Sequence, residues 1–155
     1  MPSTATRPAP LHLTSPRVLE VLGNRLELLV EAGESPRASV VRYTVTAGFA
    51  APPVLHHHVE DDVTMLVLDG TLVVTGIDGE TVVRPGEVLQ LPHGTPFAWR
   101  NGSATAPMTY LAVYAPGGFE AYFVAVADAV AAGTPVGPEL LHPLWQRYGI
   151  AVSEV

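Results

Sequence analysis

Short runs of β-branched and aromatic residues, separated by glycine and proline, make up the chain as far as Pro116. The run Val18–Val30 is apolar, but Gly23-Asn24 divides it, which favours two strands over one helix. Ala38–Thr46 is rich in valine, threonine and tyrosine, a composition typical of a strand. Runs of the same kind follow at near-even spacing: Thr64–Leu68, Thr71–Thr75, Glu80–Arg84, Val88–Leu91, Phe97–Arg100 and Met108–Tyr114.

The residues between these runs are of the types that form turns. Asp69-Gly70 and Asp78-Gly79 are typical of hairpin turns, because glycine adopts a positive φ without steric cost. The chain has 14 glycines and 15 prolines, most of them between the runs. Many short strands with this punctuation predict an all-β fold, an antiparallel sandwich or barrel.

The pattern changes after Pro116. Gly117–Ala132 is rich in alanine, and four apolar positions fall on one face at helical spacing: Phe119, Tyr122, Phe123 and Val126. Leu140–Tyr148 predicts a second short helix. We therefore divide the chain into a flexible N-terminal arm (1–16), a barrel (17–116) and a C-terminal helical segment (117–155). We expect this segment to pack on the barrel or on the second subunit of a homodimer.

Composition excludes several classes of protein. The 155 residues suit one domain, and 48% hydrophobic residues with a mean hydropathy of +0.28 can form a core. The formal net charge is −7 and is dispersed, so we expect no nucleic-acid or membrane partner. No apolar run approaches the length of a membrane span, and the first residues lack a signal peptide, so we expect a cytoplasmic protein.

Two residue types are missing altogether. All 8 basic residues are arginine, which excludes Schiff-base chemistry and a phosphate-binding loop with its lysine. There is no cysteine, which excludes thiol nucleophiles, cysteine zinc sites and disulfides.

The residues that can carry chemistry begin with three consecutive histidines. Because side chains alternate along a strand, His56 and His58 share one face and His57 takes the other. Two imidazoles so placed inside a barrel commonly hold a first-row metal. Histidines on the surface beside the acidic residues Glu60-Asp61-Asp62 are the competing interpretation.

The spacing around these histidines follows two motifs. Gly48 and His56–His58 are followed after four residues by Val63 and after six more by Gly70. The second set runs Gly86, Pro92-His93-Gly94, Phe97 and Asn101. Both sets resemble the motifs of the cupin superfamily, and the similarity extends over roughly residues 20–150. The stretches Leu55–Gly70, Gly86–Asn101, Pro116–Glu120 and Arg147–Ile150 look like those of single-domain, quercetin-dioxygenase-like cupins. The resemblance implies a double-stranded β-helix, the jelly-roll cupin barrel, with a short C-terminal helical tail.

The resemblance also implies a metal site, from which this chain departs twice. Family sites take two histidines and a glutamate from the first motif and a histidine from the second. Here His56 and His58 are kept, whereas Val63 and Phe97 stand at the other two positions. We therefore expect no cofactor. A divalent metal (Fe, Mn, Ni or Zn) would need a surrogate ligand, either Asp62 through a β-bulge or His93 turned inward.

Alternation also predicts the lining of a pocket. Val63, Met65 and Val67 should lie on the same side as the two inward histidines, and Phe97 and Trp99 should share a face. The result is a largely apolar cavity for a small, flat, partly polar ligand, although Met65 and Trp99 can equally be core filling. Arg42 and the tyrosines 43, 110 and 114 can add polar groups, but the pattern does not assign their faces.

Three functions remain open at this point. The one we favour is a metal-independent isomerase or cyclase in which His56 and His58 act as catalytic acid and base on a small aromatic or polyketide-like substrate. The second is a metal-dependent dioxygenase using His56, His58 and a surrogate ligand. The third is a non-catalytic binder or sensor of a small molecule.

Overall fold

The structure is a computed structural model that describes residues 13–33, 37–51 and 54–154. Residues 1–12 of the predicted N-terminal arm therefore lie outside the described residues. Within the described ranges, β-strands account for most of the regular structure, which confirms the all-β class. The elements are β1 (Arg17–Val21), β2 (Asn24–Val30), β3 (Ser39–Val45), β4 (His56–His58), β5 (Asp62–Asp69), β6 (Leu72–Gly76), β7 (Gly79–Val83), β8 (Val88–Leu91), β9 (Ala98–Asn101), β10 (Met108–Ala115), α1 (Glu120–Ala131), α2 (Pro138–Arg147) and β11 (Ile150–Val152).

The strands form a jelly-roll barrel from one large sheet and two smaller ones. The large sheet has the order β1-β2-β3-β10-β5-β8, and the smaller ones have the orders β7-β6-β9 and β11-β4. All neighbouring strands are antiparallel. Two backbone hydrogen bonds between His56 and Phe97, of 3.0 and 2.9 Å, connect β4 to the residue before β9. The histidine strand is therefore fixed against the segment that carries the second motif.

The core lies between the sheets because alternate residues of each strand point inward. In β3 and β10 the alternation is regular along the whole strand. The buried core residues of these two strands include Val41, Tyr43, Met108, Tyr110 and Tyr114. Burial of these side chains is the main stabilising contribution to the barrel.

Two of the predicted turns are hairpins and one is not. Leu22 and Gly23, with φ of 52° and 80°, join β1 to β2, which confirms the division of the first apolar run. The β6–β7 hairpin turns through Ile77-Asp78, and Gly79, which pairs with Gly76, begins β7. Asp69-Gly70 instead carries the chain from β5 in the large sheet to β6 in a smaller sheet, so the hairpin expected there is wrong. Turn residues favour a local reversal of the chain, but the pairing partner is decided by the rest of the sheet.

The C-terminal segment packs on the barrel of its own chain. Phe119, Tyr122 and Val126 of the predicted helix face are buried in the core cluster, and Phe123 packs against it. This face is therefore covered within one chain, and the homodimer stays a prediction that depends on the resemblance to small cupins. Neither helix of the described residues combines the length and apolar composition needed to cross a membrane.

The segment ends in a strand that the sequence pattern did not predict. β11 pairs antiparallel with β4, and Ile150 lies opposite His58. Ser153 N donates a hydrogen bond of 2.9 Å to Leu55 O just beyond this pairing. The tail therefore holds the outer edge of the histidine strand, and β4 is fixed on both sides.

Candidate functional site

The interior of the barrel contains a cavity of about 110 Å³. All three sheets and both helices contribute to its surface, which is mostly aromatic and aliphatic. Its polar groups come from histidines, tyrosines, one asparagine and tryptophan, and no aspartate, glutamate or arginine is among the described lining residues. The lining residues are Val21, Leu22, Asn24, Leu26, Tyr43, Phe49, Ala51, His56, His58, Met65, Phe97, Trp99, Tyr114, Phe119, Tyr122, Phe123, Leu141, Trp145 and Ile150.

The predicted alternation of the three histidines is confirmed. His56 and His58 line the cavity, whereas His57 faces the opposite side, where its Nδ1 lies 2.9 Å from Ser153 Oγ. The centroids of the two inward rings are 6.3 Å apart. The short strand therefore places two imidazoles at the same cavity surface and a third in a hydrogen bond with the tail.

His58 is surrounded by aromatic rings. Its ring centroid lies 4.6 Å from that of Phe119, 5.5 Å from that of Tyr114 and 5.9 Å from that of Phe97. Burial, together with a smaller effect of the neighbouring imidazoles of His56 and His57, lowers the pKa of His58 to about 3. The His58 imidazole is therefore neutral at pH 7, and it can donate or accept one hydrogen bond at each nitrogen according to its tautomer.

His56 is neutral as well, and its tautomer is indicated by a neighbour. Burial lowers the pKa of His56, while the Val54 carbonyl opposes that effect. His56 Nδ1 lies 3.4 Å from Val54 O. A carbonyl oxygen only accepts hydrogen bonds, so this contact favours the tautomer with the proton on Nδ1 and the lone pair on Nε2. In that tautomer Nε2 is the nitrogen of His56 that can accept a proton.

The residues present do not fit the metal centre that the resemblance implies. Val63 and Phe97 are buried and supply no donor atom. Two imidazoles on one tetrahedral metal would have ring centroids roughly 5 Å apart, given metal–nitrogen bonds of about 2.1 Å. The observed pair is wider, and no group of three His, Cys, Asp or Glu suited to a metal occurs in the part of the chain that the structure describes.

The two surrogate ligands considered above lie on the outer surface and bind each other. Asp62 Oδ1 lies 2.9 Å from His93 Nδ1 and accepts a second hydrogen bond of 2.8 Å from the His93 backbone N–H. Both side chains are more than 60% exposed. These hydrogen bonds lower the pKa of Asp62. Alternation alone explains why the Asp62 side chain points outward, because the next residue of β5, Val63, points inward.

The predicted pocket residues divide into two groups. Met65, Phe97 and Trp99 line the cavity. Val63 and Val67 are buried in the core but are not among the lining residues. Alternation assigns a face to a side chain, but the size of its neighbours decides whether it reaches the void. Tyr114, which pairs with Val63 across the β5–β10 ladder, is larger and lines the cavity.

The sequence pattern left the tyrosines unassigned, and the structure places two of them in the site. The hydroxyl oxygens of Tyr43 and Tyr114 lie 2.6 Å apart. Tyr110 stacks on Tyr43 with ring centroids 4.6 Å apart but does not line the cavity. Arg42 lies on the other face of β3, where it binds Glu27. The regular alternation of β3 and β10 is the signal that assigns these faces once the strand limits are known.

The tail supplies another part of the site that the sequence analysis did not include. Phe119, Tyr122 and Phe123 reach the cavity from α1 and its N-terminal end, and Leu141 and Trp145 reach it from α2. Trp145 Nε1 donates a hydrogen bond of 3.1 Å to the Tyr122 hydroxyl. The helices therefore form one side of the cavity.

Comparison with known families identifies the fold. The sequence model of the cupin domain matches residues 41–114, which include both motifs. This chain therefore contains a cupin domain. None of the curated proteins compared with the chain matches it.

Several solved structures are similar. A sugar phosphate isomerase of the cupin superfamily from Silicibacter pomeroyi is 27% identical with a TM-score of 0.52, covering 60% of this chain and 59% of its own. This chain thus spans about three-fifths of that isomerase. Pac13 from Streptomyces, a nucleoside dehydratase, is 20% identical with a TM-score of 0.54, covering 70% and 84%. KdgF from a Halomonas species is 17% identical with a TM-score of 0.52, covering 61% and 82%. The similarities to Pac13 and to KdgF show a shared fold only.

Proposed function

We propose that this protein is a metal-independent enzyme of the isomerase or cyclase type, acting on a small, uncharged ring compound. The observation that carries the proposal is the pair of neutral imidazoles, His56 and His58, at the surface of a largely aromatic cavity. Imidazole is the side chain best suited to proton transfer near neutral pH. The absence of charged groups among the described lining residues favours a substrate without a permanent charge.

The geometry supports different roles for the two histidines. Nε2 of His56 has the free lone pair, so it removes a proton from carbon next to a carbonyl group. The electrons of the C–H bond form a carbon–carbon double bond, and the carbonyl π electrons move onto oxygen. A neutral His58 N–H donates a hydrogen bond to that developing enolate oxygen. Where the ring carries a further carbon–carbon double bond conjugated with the enolate, His56 returns the proton to the far carbon of that bond. The enolate electrons then re-form the carbonyl group and the double bond moves next to it, which completes an isomerisation.

The sugar phosphate isomerase among the similar structures supports the isomerase class that we propose, but it does not support a phosphorylated substrate. That protein is described as acting on a sugar phosphate. A phosphate normally requires arginine, lysine or a set of backbone N–H groups. No arginine lines this cavity within the described residues, and the chain has no lysine. We therefore propose an uncharged substrate, such as an aromatic or polyketide-like ring.

The competing functions differ in what they need from the site. A metal-dependent dioxygenase needs further ligands, and the two surrogates considered for that role bind each other on the surface. A non-catalytic binder needs only the cavity, so turnover is what separates it from the enzyme that we propose.

The test measures proton exchange on a panel of enolisable single-ring ketones in heavy water, followed by NMR. We expect the protein to exchange the α-protons of at least one member, and His56→Gln to slow that exchange by about a hundredfold or more. The matched control is His57→Gln, the same substitution on the opposite face of the same strand. Wild-type rates in both His56→Gln and His58→Gln would refute the mechanism. Binding without exchange would show a binder.

A further inference from the structure

The hydroxyl groups of Tyr43 and Tyr114 form a hydrogen-bonded pair at the cavity surface. Their oxygens are 2.6 Å apart, although the residues are 71 positions apart in the sequence. In this pair one O–H donates and the other oxygen accepts, so one of the two hydroxyl protons is not used within the pair. Among the described residues, neither hydroxyl makes a further side-chain hydrogen bond. A ligand oxygen in the cavity would therefore complete the pair.

The free proton belongs to a good hydrogen-bond donor. A hydroxyl that already accepts a hydrogen bond is polarised and donates more strongly, and the effect is larger in a medium of low dielectric constant. Burial raises the pKa of both tyrosines, so the pair stays protonated at neutral pH. The pair consequently offers a proton to an acceptor and no negative charge to a cation.

The position of the pair connects it to the histidines. The Tyr114 ring centroid lies 5.5 Å from that of His58, and Phe119 contacts both rings. Tyr43 lies farther along the cavity, with its ring 6.3 Å from Trp99 and 5.5 Å from Phe123. An oxygen bound by the pair would therefore belong to a ring held among aromatic side chains near the imidazoles.

The size of the cavity limits the ligand. Its volume is about 110 Å³. An apolar cavity of roughly 150 Å³ engineered in another protein binds benzene. The present cavity therefore suits one ring of about that size with few substituents.

We propose that the Tyr43–Tyr114 pair is an oxygen-binding site for a single-ring phenol, enol or cyclic ketone, and that its free proton stabilises the enolate formed by His56. The second half rests on the proposed function, whereas the binding of a neutral ring oxygen does not. In the reaction the tyrosine proton is shared through a hydrogen bond and not transferred. The proton removed from carbon moves to His56 Nε2, and the electron pair moves to the bound oxygen.

The test compares phenol with toluene, two rings of similar size that differ in the oxygen. Their dissociation constants are measured by calorimetry on the wild type, Tyr43→Phe and Tyr114→Phe. Both variants keep the aromatic ring, so toluene binding reports any general change in the cavity. We expect the preference for phenol over toluene to fall about tenfold in at least one variant and measurably in the other, because a buried hydrogen bond is lost.

The matched control is Tyr110→Phe, which removes the hydroxyl of a buried tyrosine stacked on Tyr43 but outside the cavity lining. We expect its preference to stay within about twofold of the wild type. The oxygen site is refuted if neither ring binds, if the preference survives both substitutions, or if Tyr110→Phe loses as much. If one variant fails to fold, the other removes the same hydrogen bond. Phenol binding that depends on the pair, without any α-proton exchange, would keep the oxygen site and reject the proposed enzyme.

Discussion

Histidine side chains lie in opposite environments on the inner and outer surfaces of the barrel near β4 and β5. On the inside, His56 and His58 lie among aromatic rings, and burial lowers the pKa of both. On the outside, His93 and Asp62 are largely exposed and bind each other. The interior can thus use neutral imidazoles for proton transfer, whereas the exterior pair is screened by solvent and contributes little. Location, rather than residue type, decides what each histidine can do.

Two adjacent carboxylates show the same contrast. Burial raises the pKa of Asp61, even though its Oδ1 accepts a hydrogen bond of 2.7 Å from Gly117 N–H. Hydrogen bonds from His93 lower the pKa of the exposed Asp62. Asp61 is the residue before β5 and is buried, whereas Asp62 begins the strand and is exposed, so desolvation is the largest effect only at Asp61.

The largest effect we expect comes from restoring donor atoms on the inner side. In Val63→Glu/Phe97→His the four family positions again carry His, His, Glu and His. We expect the double variant to bind Ni²⁺ or Zn²⁺ at least about a thousandfold more tightly than the wild type, because ligand number dominates affinity. Elemental analysis of untagged protein after dialysis against the metal measures the difference.

The control for that experiment is the wild type, prepared in the same way. Stoichiometric metal in the wild type would show that a ligand outside the four positions takes part. An assay for oxygenase activity would then be the next experiment. A double variant that folds but does not load metal would show that these positions do not converge.

A second comparison sets an inner aromatic residue against an outer histidine. Phe97 is 3% exposed and contacts both inward histidines, so Phe97→Ala should lower the free energy of unfolding by about 3–5 kcal/mol. His93→Ala removes an exposed side chain and should leave the urea midpoint unchanged at neutral pH. Equal losses in the two variants would contradict the contrast between the surfaces.

The third prediction concerns pH. The pKa of His58 is about 3 in the folded protein and near 6.5 when unfolded, so the unfolded chain binds more protons between these values. The stability from neutral His58 is complete above pH 6.5 and is lost as the pH falls toward 3. Between pH 7 and pH 5 the loss amounts to about 2 kcal/mol.

Urea unfolding at the two pH values, for the wild type and His58→Gln, measures this contribution. The variant should lose about that much less stability on acidification. His93→Gln, measured in the same way, is the matched substitution at an exposed imidazole. A His58→Gln variant with wild-type pH dependence would mean that His58 is not desolvated.

Much of the fold could be predicted from local patterns. The strand runs, the Gly23 break and the apolar face of α1 each depend on neighbours a few residues apart, so the sequence predicts them directly. The strand β11 could not be predicted, because Ile150–Val152 is short and becomes a strand only where β4 offers an unpaired edge. The turn at Asp69-Gly70 was misassigned for a related reason, since pairing partners are set by the whole sheet.

The candidate site shows the same division. From the sequence alone, alternation determined that His56 and His58 share a face. The resemblance to cupins implied that this face is inward and that Val63 and Phe97 stand where two metal ligands are expected. Only the tertiary structure decided that Asp62 meets His93 outside, that Tyr43 meets Tyr114 inside, and that α1 and α2 form one side of the cavity. The physical reason is that alternation depends on the backbone of a single strand. A contact between distant side chains depends instead on how sheets and helices pack, and the same packing sets the burial that keeps the two histidines neutral.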